Sequence, residues 1–349
     1  MEALVLTEPG TLAPKRLPVP EPGPGELLVR VRATGVCGSD LAVYRGTHPY
    51  KRAPIVLGHE LAGTVERVGA GVAGFAPGDR VCAASFSHCE HCRACRAGRA
   101  HLCEAKATLC HRGWNGSFAE YVLLRENMAH RLPDGIGWQV GALVEPLSIG
   151  LHAVRIAAQE PGRELAVLGS GNIGLCCLIA ARRLGFRTVC VDVRPAAGAT
   201  ALALGAAAFV DAREGDVAGA VRGAIGGPAD AVIVAADYPA VCEDALGIAA
   251  PGGRAVVVSY FGAREPAVPL NALVGAEMTL TGSALSTPAE IAEVIGWLAA
   301  GEIDPRPLIA HVPDLGGAGA AFAQMDSGAG RTGKIVVAVD AAARGGEDA

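Results

Sequence analysis

The 349-residue sequence lacks the features that would associate a protein with nucleic acid or with a membrane. It has only 4 lysines and a formal net charge of −5, and no segment forms the basic stripe typical of nucleic-acid binding. No segment approaches the run of about 18 apolar residues that a membrane-spanning helix needs. The first residues lack the basic region and apolar run of a signal peptide. We therefore expect a cytoplasmic protein that binds neither nucleic acid nor a membrane.

The composition favours a globular protein. Hydrophobic residues make up 51% of the sequence, which separates it from disordered chains. A chain of this length is expected to form two domains, each large enough to bury its own core. Its 11 cysteines could indicate a secreted disulfide scaffold, but such scaffolds are usually short. These cysteines cluster at metal-ligand spacing, so we expect reduced thiols.

Four cysteines lie at the spacing of a metal site, within a stretch of small and polar residues at about 85–110. The pattern is Cys-x2-Cys-x2-Cys-x7-Cys, formed by Cys89, Cys92, Cys95 and Cys103. Four thiolates at this spacing match a closed tetrahedral zinc site, which stabilises the fold and offers no open position. We predict a structural zinc lobe; the alternative is four buried free cysteines.

A second set of metal-ligating side chains is divided between two glycine-flanked segments. Cys37 follows a predicted strand and precedes Gly38, and the dipeptide His59-Glu60 follows Gly58. A thiolate, an imidazole and a carboxylate form a credible three-ligand zinc site whose fourth position is open. This set predicts a catalytic zinc ion.

Glu145 is a further candidate ligand. It precedes Pro146 in an apolar run at 140–151, where a carboxylate without a partner is costly to bury. Coordination of the zinc ion, direct or through another group, would account for it. The alternative is an ordinary carboxylate at the start of a helix. The residues themselves leave open whether Glu60 or Glu145 binds the metal.

The segment 164–284 alternates apolar strands with alanine-rich helical stretches. This alternation predicts right-handed crossovers and a parallel, doubly wound sheet. The first strand, 164–168, leads into a Gly-x-Gly-x-x-Gly fingerprint and a helix predicted at 175–184. In this context the fingerprint predicts a dinucleotide site whose pyrophosphate rests on the helix N-terminus. Its residues are Gly169, Gly171, Asn172, Ile173 and Gly174.

Charged residues near the fingerprint bear on the choice of dinucleotide. Asp192, at the end of the next predicted strand, would accept hydrogen bonds from the adenosine ribose and repel a 2′-phosphate. Arg194 complicates this assignment because an arginine can hold that phosphate. We favour NAD over NADP. Arg331, before the final strand predicted at 334–338, is a candidate contact of the pyrophosphate; the alternative is a solvated loop arginine.

Together these motifs resemble the zinc-dependent medium-chain dehydrogenase/reductase family along essentially the whole chain. The resemblance is carried by Cys37, the four-cysteine lobe, the 169–174 fingerprint and a glycine-rich run at 58–81. It implies an α/β protein with a GroES-like, β-rich catalytic domain at 1–149 and 285–349 and a Rossmann domain at 150–284. It also implies an active site in the cleft between the domains and a homodimer or homotetramer.

Within the family, the segments 145–147 and 150–152 resemble the branch of sorbitol, polyol and sugar-acid dehydrogenases. That resemblance implies oxidation of a secondary hydroxyl of a polyol, sugar, sugar acid or cyclitol to a ketone, or the reverse. It implies one catalytic and one structural zinc ion per chain, with NAD as cofactor. The alternative enzyme is an amino-alcohol dehydrogenase acting on a threonine-like or aminocyclitol substrate. The alternative of another class is a non-catalytic dinucleotide-binding or zinc interaction protein.

The zinc hypothesis assigns roles to residues around Cys37. The metal, held by Cys37, His59 and a glutamate, would acidify the substrate hydroxyl, and Ser39 is placed to take its proton. Asp40 is expected to orient His59. The alternative for Ser39 and Asp40 is to cap a helix. Many family members relay the proton through a histidine five residues after the zinc cysteine. Here that position is Ala42, so the relay ends elsewhere, passes through water or the cofactor ribose, or is weaker.

Overall fold

The computed structural model describes residues 1–157, 163–261, 265–327 and 333–340. The chain divides into two compact units. The first comprises Met1–Glu145, Thr287–Gly301 and the described residues from Ile309 onward, and the second comprises Pro146–Ser286 and Glu302–Leu308. Within the described ranges, every helix is too short or too polar to cross a lipid bilayer.

The described residues alternate between strands and helices throughout the chain. The strands are β1 (Glu2–Glu8), β2 (Thr11–Arg16), β3 (Glu26–Gly35), β4 (Ile55–Val56), β5 (Glu60–Val68), β6 (Arg80–Ala83), β7 (Phe86–Ser87), β8 (Ala107–Thr108), β9 (Tyr121–Arg125), β10 (Ala129–Arg131), β11 (Glu164–Leu168), β12 (Arg187–Asp192), β13 (Ala208–Asp211), β14 (Ala229–Val234), β15 (Ala249–Val257), β16 (Thr279–Gly282), β17 (Ile309–His311) and β18 (Lys334–Ala338). The α-helices are α1 (Gly38–Tyr44), α2 (Arg93–Arg96), α3 (Trp138–Ala142), α4 (Val144–Ala157), α5 (Asn172–Arg183), α6 (Pro195–Ala203), α7 (Val217–Ile225), α8 (Val241–Ile248), α9 (Leu270–Gly275), α10 (Pro288–Ala299) and α11 (Ala318–Asp326).

A seven-stranded, largely antiparallel sheet forms the centre of the first unit. Its order is β10-β6-β5-β3-β18-β17, and β9 also pairs with β3. Strand β3 alternates apolar and polar residues over much of its length, as a strand with one buried face does. Its first apolar residues, at 27–29, are all buried. Because β3 pairs with both β5 and β18 near its end, residues that begin those two strands meet beside Gly35.

The second unit is built on a six-stranded sheet in which every strand is parallel to its neighbours. The order is β13-β12-β11-β14-β15-β16. Strand β11 is almost entirely buried, as expected of an apolar run in a parallel sheet whose faces are both covered. The strand order reverses between β11 and β14, and ligands bind at such a point outside the carboxyl ends of the strands. The fingerprint follows β11 at this point.

Two element boundaries differ from the sequence prediction for local reasons. Helix α5 begins at Asn172 instead of 175 because Gly171 is its N-cap, so the end of the fingerprint forms the first helical turn. The segment predicted as a strand at 117–122 becomes a strand only from Tyr121. Before it, the backbone N–H groups of 116–118 donate to the carbonyl groups of 56–58, which fixes the chain beside His59.

The packing of the first unit can be tested at Phe322. This residue of α11 is fully buried, and its ring centroid lies 5.5 Å from that of Phe118 and 5.8 Å from that of Tyr44. Phe322→Ala should lower the free energy of unfolding of this unit by about 3–5 kcal/mol, because it leaves a cavity. Tryptophan fluorescence in urea measures the change, since Trp114, Trp138 and Trp297 all belong to the first unit.

The matched control is Val19→Ala, which removes methyl groups from a side chain that is 40% exposed. Its effect should stay within about 0.5 kcal/mol. An equal, small shift in both variants would contradict the central packing of Phe322.

Candidate active site

Asp40 joins the two segments that carry Cys37 and His59. Cys37 is the N-cap residue of α1, and its backbone N–H donates to Asp40 Oδ2 at 3.1 Å. The second oxygen, Oδ1, accepts from the N–H of Gly58 at 3.5 Å and lies 3.4 Å from Nδ1 of His59. Asp40 is fully buried, so these groups replace its hydration. The carboxylate therefore caps the helix and also contacts the imidazole, as the predicted orienting role requires.

Charges around Asp40 favour its ionised form. Burial raises the pKa of Asp40, but the His59 imidazole, the Lys51 ammonium and the N–H of Cys37 together lower it below its usual range. Burial lowers the pKa of His59, and the Asp40 carboxylate and neighbouring thiols raise it well above its usual range. In the metal-free chain this imidazole holds a proton, which a metal ion would displace.

Glu60 is held by a buried ion pair with Lys334. Oε1 of Glu60 lies 2.5 Å from Nζ of Lys334, and each side chain is only 1% exposed. The two residues begin β5 and β18, which flank β3, and they meet at Gly35. A Cβ atom at position 35 would lie 2.0 Å from Oε2 of Glu60 and 3.0 Å from Cε of Lys334. Glycine is therefore required here because any side chain would displace the pair.

Cys37, His59 and Glu60 form a compact set of metal-ligating atoms. The thiol sulfur, one imidazole nitrogen and one carboxylate oxygen lie within 4.8 Å of one another. Oε2 of Glu60 is sealed from solvent and has no hydrogen-bond partner among the described residues, which is costly unless a cation binds there. One sulfur, one nitrogen and one oxygen donor suit zinc with an open coordination position. The residues fit the metal that the sequence predicts.

Glu145 lies near this set but outside it. It is 5% exposed in the first turn of α4, and it does not belong to the mutually close group formed by Cys37, His59 and Glu60. Burial raises the pKa of Glu145, the His59 imidazole opposes this, and the Glu60 carboxylate adds to it. Of the two glutamates that the sequence leaves open, the geometry groups Glu60 with the thiol and the imidazole.

Ser39 presents a hydroxyl group beside Cys37. The residue is half-buried in the first turn of α1, and its hydroxyl makes no hydrogen bond within the described part of the chain. It is therefore free to bond to a substrate. At Ala42 the backbone carbonyl accepts from the N–H groups of Thr47 and His48, at 2.9 and 3.1 Å. The turn that replaces a relay histidine thus brings His48 next to position 42.

The four cysteines of the lobe converge as the sequence predicts. Their sulfur atoms lie within 4.8 Å of one another, and those of Cys89 and Cys95 are 4.0 Å apart. A disulfide would need about 2.0 Å, whereas ligands at about 2.3 Å from one tetrahedral zinc ion are ~3.8 Å apart. Backbone N–H groups of Cys89, Cys92 and Cys95 point at sulfur atoms at 3.4–3.5 Å, which stabilises thiolates. The lobe fits a closed zinc site.

The thiols of this lobe share protons unequally when no metal is bound. The backbone N–H of Cys95 lowers the pKa of Cys92 to about 6. Loss of solvation and the neighbouring thiols raise the pKa of Cys95 to about 12. Because four thiolates repel one another, the full set of sulfur ligands needs a cation to hold it together.

The fingerprint glycines of the second unit form a cradle. Gly169 has φ of +98°, and a Cβ there would lie 2.7 Å from the carbonyl oxygen of Ala235. At Gly174 a Cβ would lie 1.8 Å from the carbonyl oxygen of Gly169, so helix and strand pack closely. At Gly171 the nearest such neighbour is the guanidinium of Arg194, at 3.9 Å. The N-terminus of α5, which has no acidic residue in its first turn, is thus open to a pyrophosphate.

Asp192 and Arg194 pair at the end of β12. Oδ1 of Asp192 accepts from the backbone N–H and Nε of Arg194, and Oδ2 accepts from Nη2 of Arg194 and the N–H of Ser170, all at 2.9 Å. Burial raises the pKa of Asp192, but these donors lower it below its usual range. The lone pairs that would accept a ribose diol are occupied by an arginine that is 50% exposed. The predicted contact Arg331 lies outside the described residues.

Sequence reasoning missed two residues of this site. Lys334 begins an apolar strand, and a single charge in a buried strand indicates a buried partner; no local pattern identifies Glu60, 274 positions away. Cys110 is predicted to be a small core residue, and it is fully buried. Its thiol also donates to the carbonyl of Gly58 at 3.2 Å and lies within 4.8 Å of ligating atoms of Asp40 and His59.

Comparison with known proteins agrees with this geometry. A family model described as "Alcohol dehydrogenase GroES-like domain" matches 23–134, and one described as "Zinc-binding dehydrogenase" matches 172–300. L-galactonate-5-dehydrogenase of Escherichia coli (strain K12) is 32% identical over 317 residues, or 89% of this chain and 91% of the relative. Sorbitol dehydrogenase of Ovis aries is 30% identical over 344 residues, covering 97% of this chain and 96% of the relative.

A crystal structure from Sinorhizobium meliloti 1021, described as a zinc-binding dehydrogenase bound to NADP, superposes with a TM-score of 0.89. It is 29% identical, and the match covers 97% of this chain and 98% of that one. The chain therefore belongs to the zinc-dependent medium-chain dehydrogenase/reductase family. Within that family its relatives are the polyol and sugar-acid dehydrogenases, which confirms the predicted branch and fold class. The choice of NAD over NADP stays a prediction.

The structural zinc lobe can be tested at Cys89. Cys89→Ser removes one of four thiolates, so the purified protein should lose one zinc ion per chain and unfold at lower urea concentration. Zinc content by elemental mass spectrometry and tryptophan fluorescence measure the two effects. The matched control is Cys242→Ala, a buried cysteine of α8, which should retain the full zinc content. A Cys89→Ser protein with unchanged zinc content would exclude the lobe as a metal site.

Proposed function

We propose that this protein oxidises a secondary hydroxyl of a polyol or sugar acid to a ketone with a nicotinamide dinucleotide, or catalyses the reverse reaction. The observation that carries the proposal is the group formed by Cys37, His59 and Glu60, with the sealed Glu60 oxygen directed at no protein donor among the described residues. The names of its relatives, an L-galactonate-5-dehydrogenase and a sorbitol dehydrogenase, support this substrate class.

In this proposal Cys37, His59 and Glu60 hold the catalytic zinc ion. When bound, the zinc ion acidifies the substrate hydroxyl and the dinucleotide accepts the hydride. Asp40 holds the His59 ring at Nδ1, which leaves the other ring nitrogen for the metal. Lys334 keeps one oxygen of Glu60 occupied, so the carboxylate presents the other. Glu145 remains as an alternative ligand, because its carboxyl group is within electrostatic reach of His59 and Glu60.

Ser39 is proposed as the group that takes the substrate proton. Its hydroxyl is free of hydrogen bonds among the described residues and stands two residues after Cys37. It can therefore accept one hydrogen bond and pass a proton on. His48, next to Ala42, is a poor next carrier, because its Nδ1 already accepts the N–H groups of Tyr50 and Lys51, at 3.4 and 3.2 Å. The proton is expected to leave through water.

The acidic side chains around the zinc ligands favour a hydroxyl substrate over an amino alcohol. An ammonium group on the substrate would need an unpaired carboxylate nearby. Asp40 contacts His59, Glu60 pairs with Lys334, and Glu145 also has a partner. Among the described residues, no acidic side chain near this set is left without a contact.

Four assignments at the level of the whole molecule belong to the same proposal. The first unit is taken as the catalytic domain and the second as the dinucleotide-binding domain. A cytoplasmic location is supported by cysteine ligands that must stay reduced. A homodimer or homotetramer is supported by the second unit: β16 is an edge strand of its sheet, and Leu270 and Val274 on the preceding α9 are 66% and 75% exposed. Edge strands and exposed apolar side chains favour association.

The catalytic role is tested with Cys37→Ala. Purified protein is assayed for reduction of NAD⁺ or NADP⁺ with a panel of polyols, sugar acids, cyclitols and amino alcohols. The variant should lose one zinc ion and nearly all turnover, because the thiolate ligand is gone. Cys242→Ala, distant in sequence and outside every cysteine cluster of the described residues, should keep both. Turnover that persists in Cys37→Ala with full zinc content would overturn the proposed site.

The NAD preference is tested by separating Asp192 from Arg194. Asp192→Ala removes the group that repels a 2′-phosphate and releases the guanidinium to bind it, so the ratio of kcat/KM for NADP to that for NAD should rise about 10- to 100-fold. Asp211→Ala is the control, because Asp211 pairs with Arg213 in the same way at the end of neighbouring β13. An unchanged ratio in Asp192→Ala would show that this pair does not select the dinucleotide.

A further inference from the structure

A set of nitrogen-bearing side chains follows α1 in the first unit and lies against the residues that hold His59. We call His48, Tyr50, Lys51 and His111 the basic face. The ring centroid of Tyr50 lies 4.5 Å from that of His48 and 5.1 Å from that of His111, edge-on to both. The backbone N–H of Lys51 donates to Nδ1 of His48 at 3.2 Å. None of these residues has a role in the proposed hydride transfer.

Lys51 is a buried cation without a protein acceptor. The residue is only 7% exposed, and its ammonium group has no hydrogen-bond or ion-pair partner within 4 Å among the described residues. Covering an ammonium group in this way is costly unless an anion compensates it. Lys334, the other buried lysine, has such a partner in Glu60. The nitrogen of Lys51 is also absent from the polar atoms that are sealed from solvent, so a ligand can reach it.

A simpler role for Lys51 would be to neutralise Asp40. Its charge does contribute to the low pKa of Asp40, but the two side chains form no ion pair within 4 Å. Both oxygens of Asp40 are already engaged by Cys37, Gly58 and His59. Asp40 therefore leaves the hydrogen-bonding capacity of the ammonium group unused.

The other members of the basic face are neutral donors. Burial, together with the charges of Lys51 and Arg52, lowers the pKa of His48 to about 4. Because Nδ1 of His48 accepts two backbone N–H groups, its proton is on Nε2, which can donate. The pKa of His111 is also lowered, by burial and by the charges of Arg112 and Lys51. Arg52 donates to backbone carbonyl groups of His48, Pro49 and Lys51, so it braces the turn.

The loop that carries His111 connects this face to the metal ligands. Cys110 precedes His111, and its thiol contacts the backbone of Gly58, next to His59. Cys110 and Arg112 have φ of 60° and 51°, a left-handed conformation that is unfavourable for residues with a side chain and is concentrated at functional sites. The strained loop thus places His111 at the basic face and Cys110 at His59.

We infer that the basic face binds an anionic group of the substrate, a carboxylate or a phosphate, so that the enzyme prefers an acidic polyhydroxy compound to a neutral polyol. This inference rests on the proposed function. A secondary carbinol carbon gives a hydride to the oxidised dinucleotide, its hydroxyl gives a proton to solvent, and a ketone forms. The anionic group does not react. Lys51 supplies the opposite charge and Nε2–H of His48 supplies a hydrogen bond, which together orient the substrate.

The test compares hexonates with the hexitols of the same configuration and with the corresponding hexitol phosphates. The unmodified protein should have a kcat/KM at least about tenfold higher for one of the two anionic classes, since a charge-assisted hydrogen bond is worth that factor or more. The class that is preferred identifies carboxylate or phosphate as the ligand. Equal kcat/KM for hexitols and both anionic classes overturns the inference, and this readout needs no variant to fold.

Lys51→Met assigns the effect to the ammonium group. Its kcat/KM should fall about 10- to 100-fold for the anionic substrate, mainly through KM, and stay within about twofold for the matched hexitol. Lys51→Arg should recover part of the loss because it restores the charge. Lys15→Met, which removes an exposed lysine of β2, should behave as the unmodified protein. Zinc content and the urea midpoint are measured for each variant. A loss of equal size on both substrate classes, or one accompanied by loss of zinc, indicates a structural role and overturns the inference.

Failure of the proposed function has a different signature. In that case the zinc-loaded protein oxidises neither hexitols nor anionic substrates with either dinucleotide. Calorimetric titration with the hexonates, hexitols and inorganic phosphate then tests the basic face alone. Binding of hexonate or phosphate that weakens at least about tenfold in Lys51→Met supports the anion site. Equal binding by the two proteins overturns it.

Discussion

The buried ion pair between Glu60 and Lys334 is the constraint on which the catalytic unit depends. Two opposite charges at 1% exposure are tolerable only while they stay together, because either one alone would be buried without compensation. The pair therefore fixes β5 and β18 on the two sides of β3 and requires a glycine at position 35. It also commits one oxygen of Glu60 to the protein. The other oxygen is left without a partner, and this imbalance makes Glu60 suited to a metal.

Acidic groups around the metal-binding residues differ in function because their partners differ. Asp40 serves as helix cap and imidazole contact at the same time, so the segment bearing Cys37 and the segment bearing His59 share one support. Glu60 has a cation on one side and an empty coordination direction on the other. Glu145 has its pKa raised by burial. Three carboxyl groups of similar chemistry thus act as an orienting group, a ligand and a reserve, according to their surroundings.

Uncompensated charge is the signal that links the catalytic set to its substrate. Lys334 and Lys51 are both buried lysines of the first unit, but only Lys334 has a carboxylate partner within 4 Å. The same physical reasoning that leads from the orphaned oxygen of Glu60 to a metal ion leads from the ammonium group of Lys51 to an anion. In each case the protein supplies one half of a charge pair, and the ligand supplies the other.

Local patterns allow the fold class, the family, the four-cysteine lobe and the dinucleotide fingerprint to be predicted from the sequence. The lobe is defined by cysteines within 15 residues of one another, and the fingerprint is a turn between one strand and one helix. Such features depend on backbone geometry over a few positions, so the order of residues carries the information. The predicted start of α5 is wrong by three residues because glycine favours loops, whereas here the end of the fingerprint forms the first helical turn.

The sequence by itself determined which residues could ligate metal and dinucleotide, because those residue types at those spacings have few other uses. Only the tertiary structure decided that Glu60 and not Glu145 joins Cys37 and His59, that Asp192 is occupied by Arg194, and that Lys334 balances Glu60 while Lys51 remains uncompensated. These outcomes depend on distances between side chains that are far apart in the chain, or on small rotations of neighbouring ones. Electrostatic energy changes steeply over such distances inside a protein, and no pattern of residues along the chain specifies them.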